Sequence, residues 1–269
     1  MTRENGSRDR NRKNRKTARR RTQGQGSAGS RIICTRTDAE MTWAEGDRDS
    51  GEVIMKAVMK YPGSKWSLAG WIISMFPKHH SYLEPFFGSG AVLFNKTRSD
   101  IETVNDLDGN VVNLFECIRT DPERLARLIH MTPYAREVYE KAFMETPEEP
   151  FARAVNFYIR LNMGHGFRTN GEKVGWKNDI QGRERAYAVQ DWCSLPDRIV
   201  QAAERLREVQ IENRPAAELI PRFNHENVLI YCDPPYMMET RHGKQYRCEM
   251  SDRDHEALLD MAGGVRAGG

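Results

Sequence analysis

The sequence predicts a doubly wound α/β sheet interrupted by a large, mainly helical insert. Between residues 81 and 120 a strand, a glycine turn, a helix, a second strand, an acid and a second helix follow one another. That is the repeating order of a parallel sheet wrapped by helices. The run "VLIYC", residues 228 to 232, is apolar throughout, as a strand buried on both faces must be. About 100 residues separate the second sheet strand from the third, where a plain crossover needs only a dozen or more.

The first segment is a tail. Residues 1 to 31 hold 11 Lys and Arg against 2 acids, a net +9 in a chain of net +3, so the other 238 residues sum to −6. Its core, "RDRNRKNRKTARRRTQGQGSAGS", is almost free of apolar residues and repels itself, which predicts disorder over residues 1–54. Such a tail either binds nucleic acid as a flexible arm or is an extension outside the working protein, because Met55 and Met59 stand directly before the first patterned segment.

From "KYPGSKWSLAGWIISMF" onward the pattern is regular. Apolar residues at 68, 69, 72, 73, 75 and 76 predict a helix that Pro77 stops. "SYLEPF" reads as a short strand entering the glycine loop "FGSG", and "AVLFNK" as the helix after it. "ETVNDL" is a second strand ending on Asp106, and "GNVVNLFECI" continues as a helix.

The insert, residues 121–204, carries helical spacing in "PERLARLI", "YAREVYEKAF" and "PFARAVNFYIRLNM". Its middle, "GHGFRTNGEKVGWKNDIQGRER", is loop-like and interleaves Arg168, Lys173, Lys177, Arg183 and Arg185 with Phe167 and Trp176. Cations for phosphates and flat rings for bases suit a nucleic-acid contact surface; a solvated basic loop is the plainer alternative. "SLPDRIVQAAERLREV" then returns to the sheet through the strands "VQIEN", residues 209 to 213, and "VLIYC". The sheet domain is accordingly 55–120 together with 205–269.

Several function classes are disfavoured by composition. No stretch reaches 18 consecutive apolar residues and no apolar signal segment opens the chain, which points to the cytoplasm and away from a membrane. The five cysteines are odd in number and never form a C-x-x-C pair, so neither a disulfide framework nor a metal site is expected.

The chemistry gathers at two turns. A glycine loop after a first strand lets backbone approach a ligand closely, and an acid ending the second strand can accept both hydroxyls of a ribose. Here the loop is Phe86, Gly88 and Gly90, and the acid is Asp106, 16 residues past the last glycine. An adenosine-containing cofactor fits. Leu93 stands where a dinucleotide fingerprint wants a third small residue, which leaves room for a smaller cofactor such as S-adenosylmethionine and makes a nucleotide-binding oxidoreductase the weaker alternative. Glu84 either contacts that cofactor or only ends its strand.

The second turn is "DPPY", residues 233 to 236. "VLIYC" is expected beside the "SYLEPF" strand, so Asp233 and Tyr236 face the cofactor crevice. An exocyclic adenine amine is a poor nucleophile because its lone pair is delocalised into the ring. Two acceptors on its hydrogens favour the pyramidal, reactive form, and the Asp233 carboxylate with the Pro234 carbonyl can supply them. The prolines fix the turn at little entropic cost. Tyr236 can stack on a base flipped out of a duplex.

With "KYPGSK", "LEPFFGSGAVLFN", "VNDLDGNVVNLF", "DPPY" and the later "YRCEMSDRDH" in this order, the chain from about Lys60 to His255 resembles the Dam-like adenine-specific DNA methyltransferases. The resemblance implies a Rossmann-like class I methyltransferase sheet with a target-recognition insert, S-adenosyl-L-methionine as methyl donor, double-stranded DNA as partner, no metal and no obligate protein partner. It further implies that Tyr61, Gly63 and Lys65 help form the cofactor pocket, with Lys65 near the reacting centre. Phe86, Gly88 and Gly90 would line the methionine and adenosine part, Asp106 would take the ribose, and Asp233, Pro234 and Tyr236 would hold the flipped adenine.

Family members continue past the point where this sequence stops, so the sheet is expected to be incomplete at the C-terminus, with "VLIYC" as an exposed edge prone to aggregation. Methyltransferases of the same motif acting on cytosine, RNA or glutamine side chains, and a catalytically inactive DNA-binding remnant, remain the alternatives.

Overall fold

The computed structural model describes residues 31–34, 55–180, 187–237 and 243–264. Five strands, β1 (Arg31–Cys34), β2 (Ser81–Glu84), β3 (Ile101–Asn105), β4 (Val209–Glu212) and β5 (Val228–Cys232), form one sheet. Their order is β1-β5-β2-β3-β4 and every pair is parallel. The strands expected at "SYLEPF", "ETVNDL", "VQIEN" and "VLIYC" are β2 to β5, and β5 lies beside β2 as expected, with Tyr82 opposite Leu229.

The exposed edge expected at "VLIYC" is not found. β1 pairs with it from Arg31↔Leu229 to Cys34↔Cys232, so backbone groups that an edge would leave open are bonded on both sides. These four residues also correct the expectation of disorder over 1–54: "RIIC" carries two adjacent β-branched residues, the type that favours a strand. The rest of that tail lies outside the described residues.

Side chains alternate between the two faces of the sheet, as strand geometry requires. Tyr82, Val104, Leu229 and Tyr231 enter the large core, and Leu83, Val228, Ile230 and Cys232 a smaller one on the other side. The helices are α1 (Ala69–Ser74), α2 (Ala91–Asn95), α3 (Gly109–Thr120), α4 (Pro122–Met131), α5 (Arg136–Met144), α6 (Pro150–Met163), α7 (Tyr187–Cys193), α8 (Leu195–Leu206), α9 (Ala216–Leu219) and α10 (Asp252–Gly264). The large core takes Ile72 of α1, Phe115 of α3, Leu125 of α4, Tyr158 of α6 and Ile199 of α8. The smaller one takes Leu219 of α9 and Leu258 of α10. Helices of the expected insert therefore share one core with the sheet: α6 packs on α3, and α8 on α4.

Helix starts follow from local chemistry. The Asp108 carboxylate accepts from the Asn110 amide to open α3, and Asp121 and Glu149 do the same for α4 and α6, each followed by a proline in the first turn.

One buried ion cluster ties the layers. Glu102 of β3 accepts from Lys96 at 2.5 Å and from Arg205 of α8 at 2.8 Å, and the Lys96 ammonium lies 4.5 Å from the Tyr82 ring centroid. Glu102 is 3% exposed, so removing it would leave two desolvated cations without compensation. Glu102→Ala is expected to lower the unfolding free energy by about 3–5 kcal/mol in urea denaturation. Lys141→Ala, which removes the exposed Lys141–Glu145 pair on α5, should change it by no more than about 0.5 kcal/mol.

Candidate active site

Because β2 is flanked by β3 on one side and β5 on the other, the chain leaves the sheet in opposite directions there, which opens a crevice at the strands' carboxyl ends. A cleft occupies this place, with about 730 Å³ of empty space that includes open solvent. The glycine loop after β2, the acid after β3 and the turn after β5 all border it.

The loop after β2 is held in register when the Phe87 amide donates to the Asn105 carbonyl at 2.9 Å. Gly88 and Gly90 then take φ of +49° and +68°, a region costly for residues with a Cβ. A Cβ on Gly88 would also stand 3.0 Å from the Tyr61 ring. At Gly88 backbone thus faces the cleft, whereas Gly90 is not among the cleft's lining residues and a Cβ there would meet the Phe87 and Phe94 rings at 2.6 Å.

Asp106 is not the cap of α3, since Asp108 takes that role. Its two carboxylate oxygens instead accept the Gly88 and Asp108 amides, each at 2.8 Å. Burial lifts its pKa to about 7, although those amides pull the other way. Each oxygen keeps a second lone pair for an outside donor.

Tyr61, Gly63 and Lys65 come to the same cleft from the segment before α1. The Lys65 ammonium donates to Asp233 Oδ1 at 2.8 Å and to the Gly63 carbonyl at 2.9 Å, and stands 4.8 Å from the Tyr236 ring centroid. Burial alone would lower the Lys65 pKa, but the Asp233 carboxylate outweighs it and the pKa is raised. Pro234 lines the cleft between these two residues. Gly63, at φ +68°, leaves room for the Tyr246 hydroxyl, which would be 2.6 Å from a Cβ there.

Two residues given no firm role by sequence border the cleft as well. Glu84, 2% exposed, receives the Tyr82 hydroxyl at 2.9 Å; burial lifts its pKa to about 8 against that hydrogen bond, with the Asp233 charge adding to the rise. Tyr246 donates to the Pro62 carbonyl at 3.1 Å. It falls within "YRCEMSDRDH", so the signal was present without a named residue.

The insert cations are less gathered. Arg168 pairs with Glu172, Lys173 stands 4.0 Å from Glu140, and Lys177 lies 5.5 Å from the Phe167 ring centroid, with Lys60 on that ring at 5.6 Å. Arg183 and Arg185 lie outside the described residues.

Comparison with known proteins gives a consistent picture. A family model described as D12 class N6 adenine-specific DNA methyltransferase matches residues 61–262. The chain is 24% identical over 189 residues to a DNA adenine methylase of Vibrio cholerae and 28% identical over 189 residues to one of Salmonella typhi; each alignment covers 67% of this chain and 65% of the relative. It is 26% identical over 204 residues to the Type II methyltransferase M.FokI of Planomicrobium okeanokoites, covering 69% of this chain and 30% of that protein. The chain therefore spans 65% of the length of the two methylases.

Two pH dependences follow from the buried acids. Hydroxyl donors of an adenosine-bearing ligand favour ionised Asp106, so affinity for S-adenosylhomocysteine, read by calorimetry, should fall as pH drops through about 7, by up to about tenfold per pH unit. Asp106→Asn should be weaker and flat over that range. For Glu84 the folded state holds a proton that the unfolded state releases, so its contribution to stability is full below pH 4.5 and lost progressively up to about pH 8. Melting curves of Glu84→Gln at pH 5 and pH 8.5 should differ less than those of the parent protein.

Proposed function

This chain belongs to the D12 class of N6 adenine-specific DNA methyltransferases, and on that premise we propose that it transfers a methyl group from S-adenosyl-L-methionine to the N6 amine of an adenine flipped out of double-stranded DNA. One observation carries the reading: the Asp233 carboxylate, the Tyr236 ring and the positive-φ Gly88 border a single cleft.

The residues present fit the methyl donor. Gly88 leaves backbone open beside the cleft, Asp106 offers two acceptor oxygens for ribose hydroxyls, and Phe86 adds an apolar wall. Bound there, the cofactor supplies a methyl group made electrophilic by its sulfonium.

The chain's own residues then prepare the amine. Asp233 accepts one N6 hydrogen and the Pro234 carbonyl the other, which withdraws the nitrogen lone pair from the ring. Lys65, bonded to Asp233 and Gly63, fixes the carboxylate's direction through a charge-assisted hydrogen bond. Tyr236 offers a face for stacking, partly offsetting the stacking lost when the base leaves the duplex. Transfer is direct, with no covalent bond between protein and base: the N6 lone pair bonds to the methyl carbon as its bond to sulfur breaks, the donor would leave as the thioether S-adenosylhomocysteine, and the surplus N6 proton passes to water.

Arg168, Lys173 and Lys177 supply phosphate contacts in this reading. The first two hold partially exposed ion pairs, which are worth little in water and are readily exchanged for phosphate oxygens as counterions are released.

The test is to incubate the protein with S-adenosylmethionine carrying a labelled methyl group and unmethylated duplex DNA, with RNA and protein extract as competing acceptors. Label is expected on adenine N6 of duplex DNA. Asp233→Ala should lower the rate by at least about a hundredfold, the loss typical of removing a group that stabilises developing charge. Label on RNA, cytosine or protein, or an unaffected Asp233→Ala variant, would overturn the assignment.

A further inference from the structure

The target-recognition insert and the cofactor wall are joined at one buried hydroxyl. Thr169, 6% exposed, follows the basic Arg168 in the insert loop. Its amide donates to the Gln245 carbonyl at 2.9 Å, its Oγ1 accepts the Arg247 amide at 3.0 Å, and the same hydroxyl donates to the Gln245 carbonyl at 3.4 Å. Asn170 adds a bond from Nδ2 to the Lys244 carbonyl at 2.9 Å. Residues 244–247 thus lie against the insert as a short strap.

The far side of that strap is the cofactor wall. Tyr246 donates to the Pro62 carbonyl between Tyr61 and Gly63, and its ring centroid is 5.8 Å from that of Tyr61. The Arg247 guanidinium stands 3.9 Å from Asp108, whose amide holds Asp106. Glu249 braces the strap by accepting the Gln245 and Tyr246 amides at 2.9 and 3.1 Å. A shift of the insert loop at Thr169 therefore reaches both the aromatic wall and the loop carrying the ribose acid.

We propose that Thr169 is a positioning residue that couples the DNA-facing insert to the cofactor site, so that DNA on the insert and cofactor in the cleft strengthen each other's binding. The inference rests on the methyl-transfer reading above. Thr169 touches neither reacting group; it acts through Gln245 and Arg247, with Tyr246 between them against Tyr61. Such coupling is reciprocal, each ligand raising the affinity of the other by the same factor.

The experiment titrates S-adenosylhomocysteine, an inert cofactor analogue, into the protein with and without a cognate duplex by calorimetry, for the parent chain, Thr169→Val and Thr169→Ser. Valine keeps the shape and the main-chain bond to Gln245 but deletes the hydroxyl; serine restores it. In the parent, duplex should tighten analogue binding by at least about fivefold. In Thr169→Val that factor should fall below about twofold, and Thr169→Ser should recover it. Turnover of Thr169→Val should show a raised KM for S-adenosylmethionine with kcat little changed.

Equal coupling in the parent and Thr169→Val overturns the inference, as does a loss that serine does not recover or one confined to kcat. A parent chain that binds no analogue overturns the methyl-donor reading as well, so the two failures are distinguishable.

Discussion

The parallel pairing of β2 with β5 is the constraint on which the site depends. It sets Tyr82 against Leu229 and Leu83 against Ile230, so the glycine loop and the "DPPY" turn leave the sheet at the same end. Parallel strands need a long connection between them, and here that connection holds β3, β4 and the whole helical insert. The whole helical insert is thus carried within the link that makes the central pairing possible.

Electrostatics at the site follow from how deeply this pairing buries the strand ends. Glu84 and Asp106 end neighbouring strands and are both desolvated, with pKa values lifted to about 8 and about 7. Asp233, at the mouth, is held by Lys65 instead. The raised pKa values thus gather at the ends of β2 and β3, while the carboxylate after β5 has a cation beside it. Asp106 accepts two backbone amides, which hold its carboxylate in a fixed direction.

Much of this was legible in the sequence because it depends on local patterns. β5 was read with its observed bounds since five apolar residues end at a proline turn, and β2, β3 and β4 within two residues of theirs. Tyr61, Gly63, Lys65, Phe86, Gly88, Gly90, Asp106, Asp233, Pro234 and Tyr236 were all assigned to one site, and all but Gly90, which caps α2, line one cleft. β1 was not legible: four residues inside a basic, polar tail gain strand structure only from pairing with a strand far along the chain. Nor was Thr169, whose partners at 245 and 247 are set by tertiary folding and whose residue type signals nothing by itself. The Glu102 cluster was missed for the same reason, since Arg205 comes from the other side of the insert.

The strand order also sets a timetable. β2 occupies the centre of the sheet, but one of its two neighbours, β5, is synthesised only after the whole insert, and β1 waits for the same partner. The roughly 100 residues between β3 and β4 take about 5–20 s to translate at typical rates. Throughout that interval β2 has only β3 beside it, and α3, α4 and α6 can assemble before the sheet closes. High contact order slows the final step, leaving an apolar strand open during synthesis and making the nascent chain a natural client for chaperones.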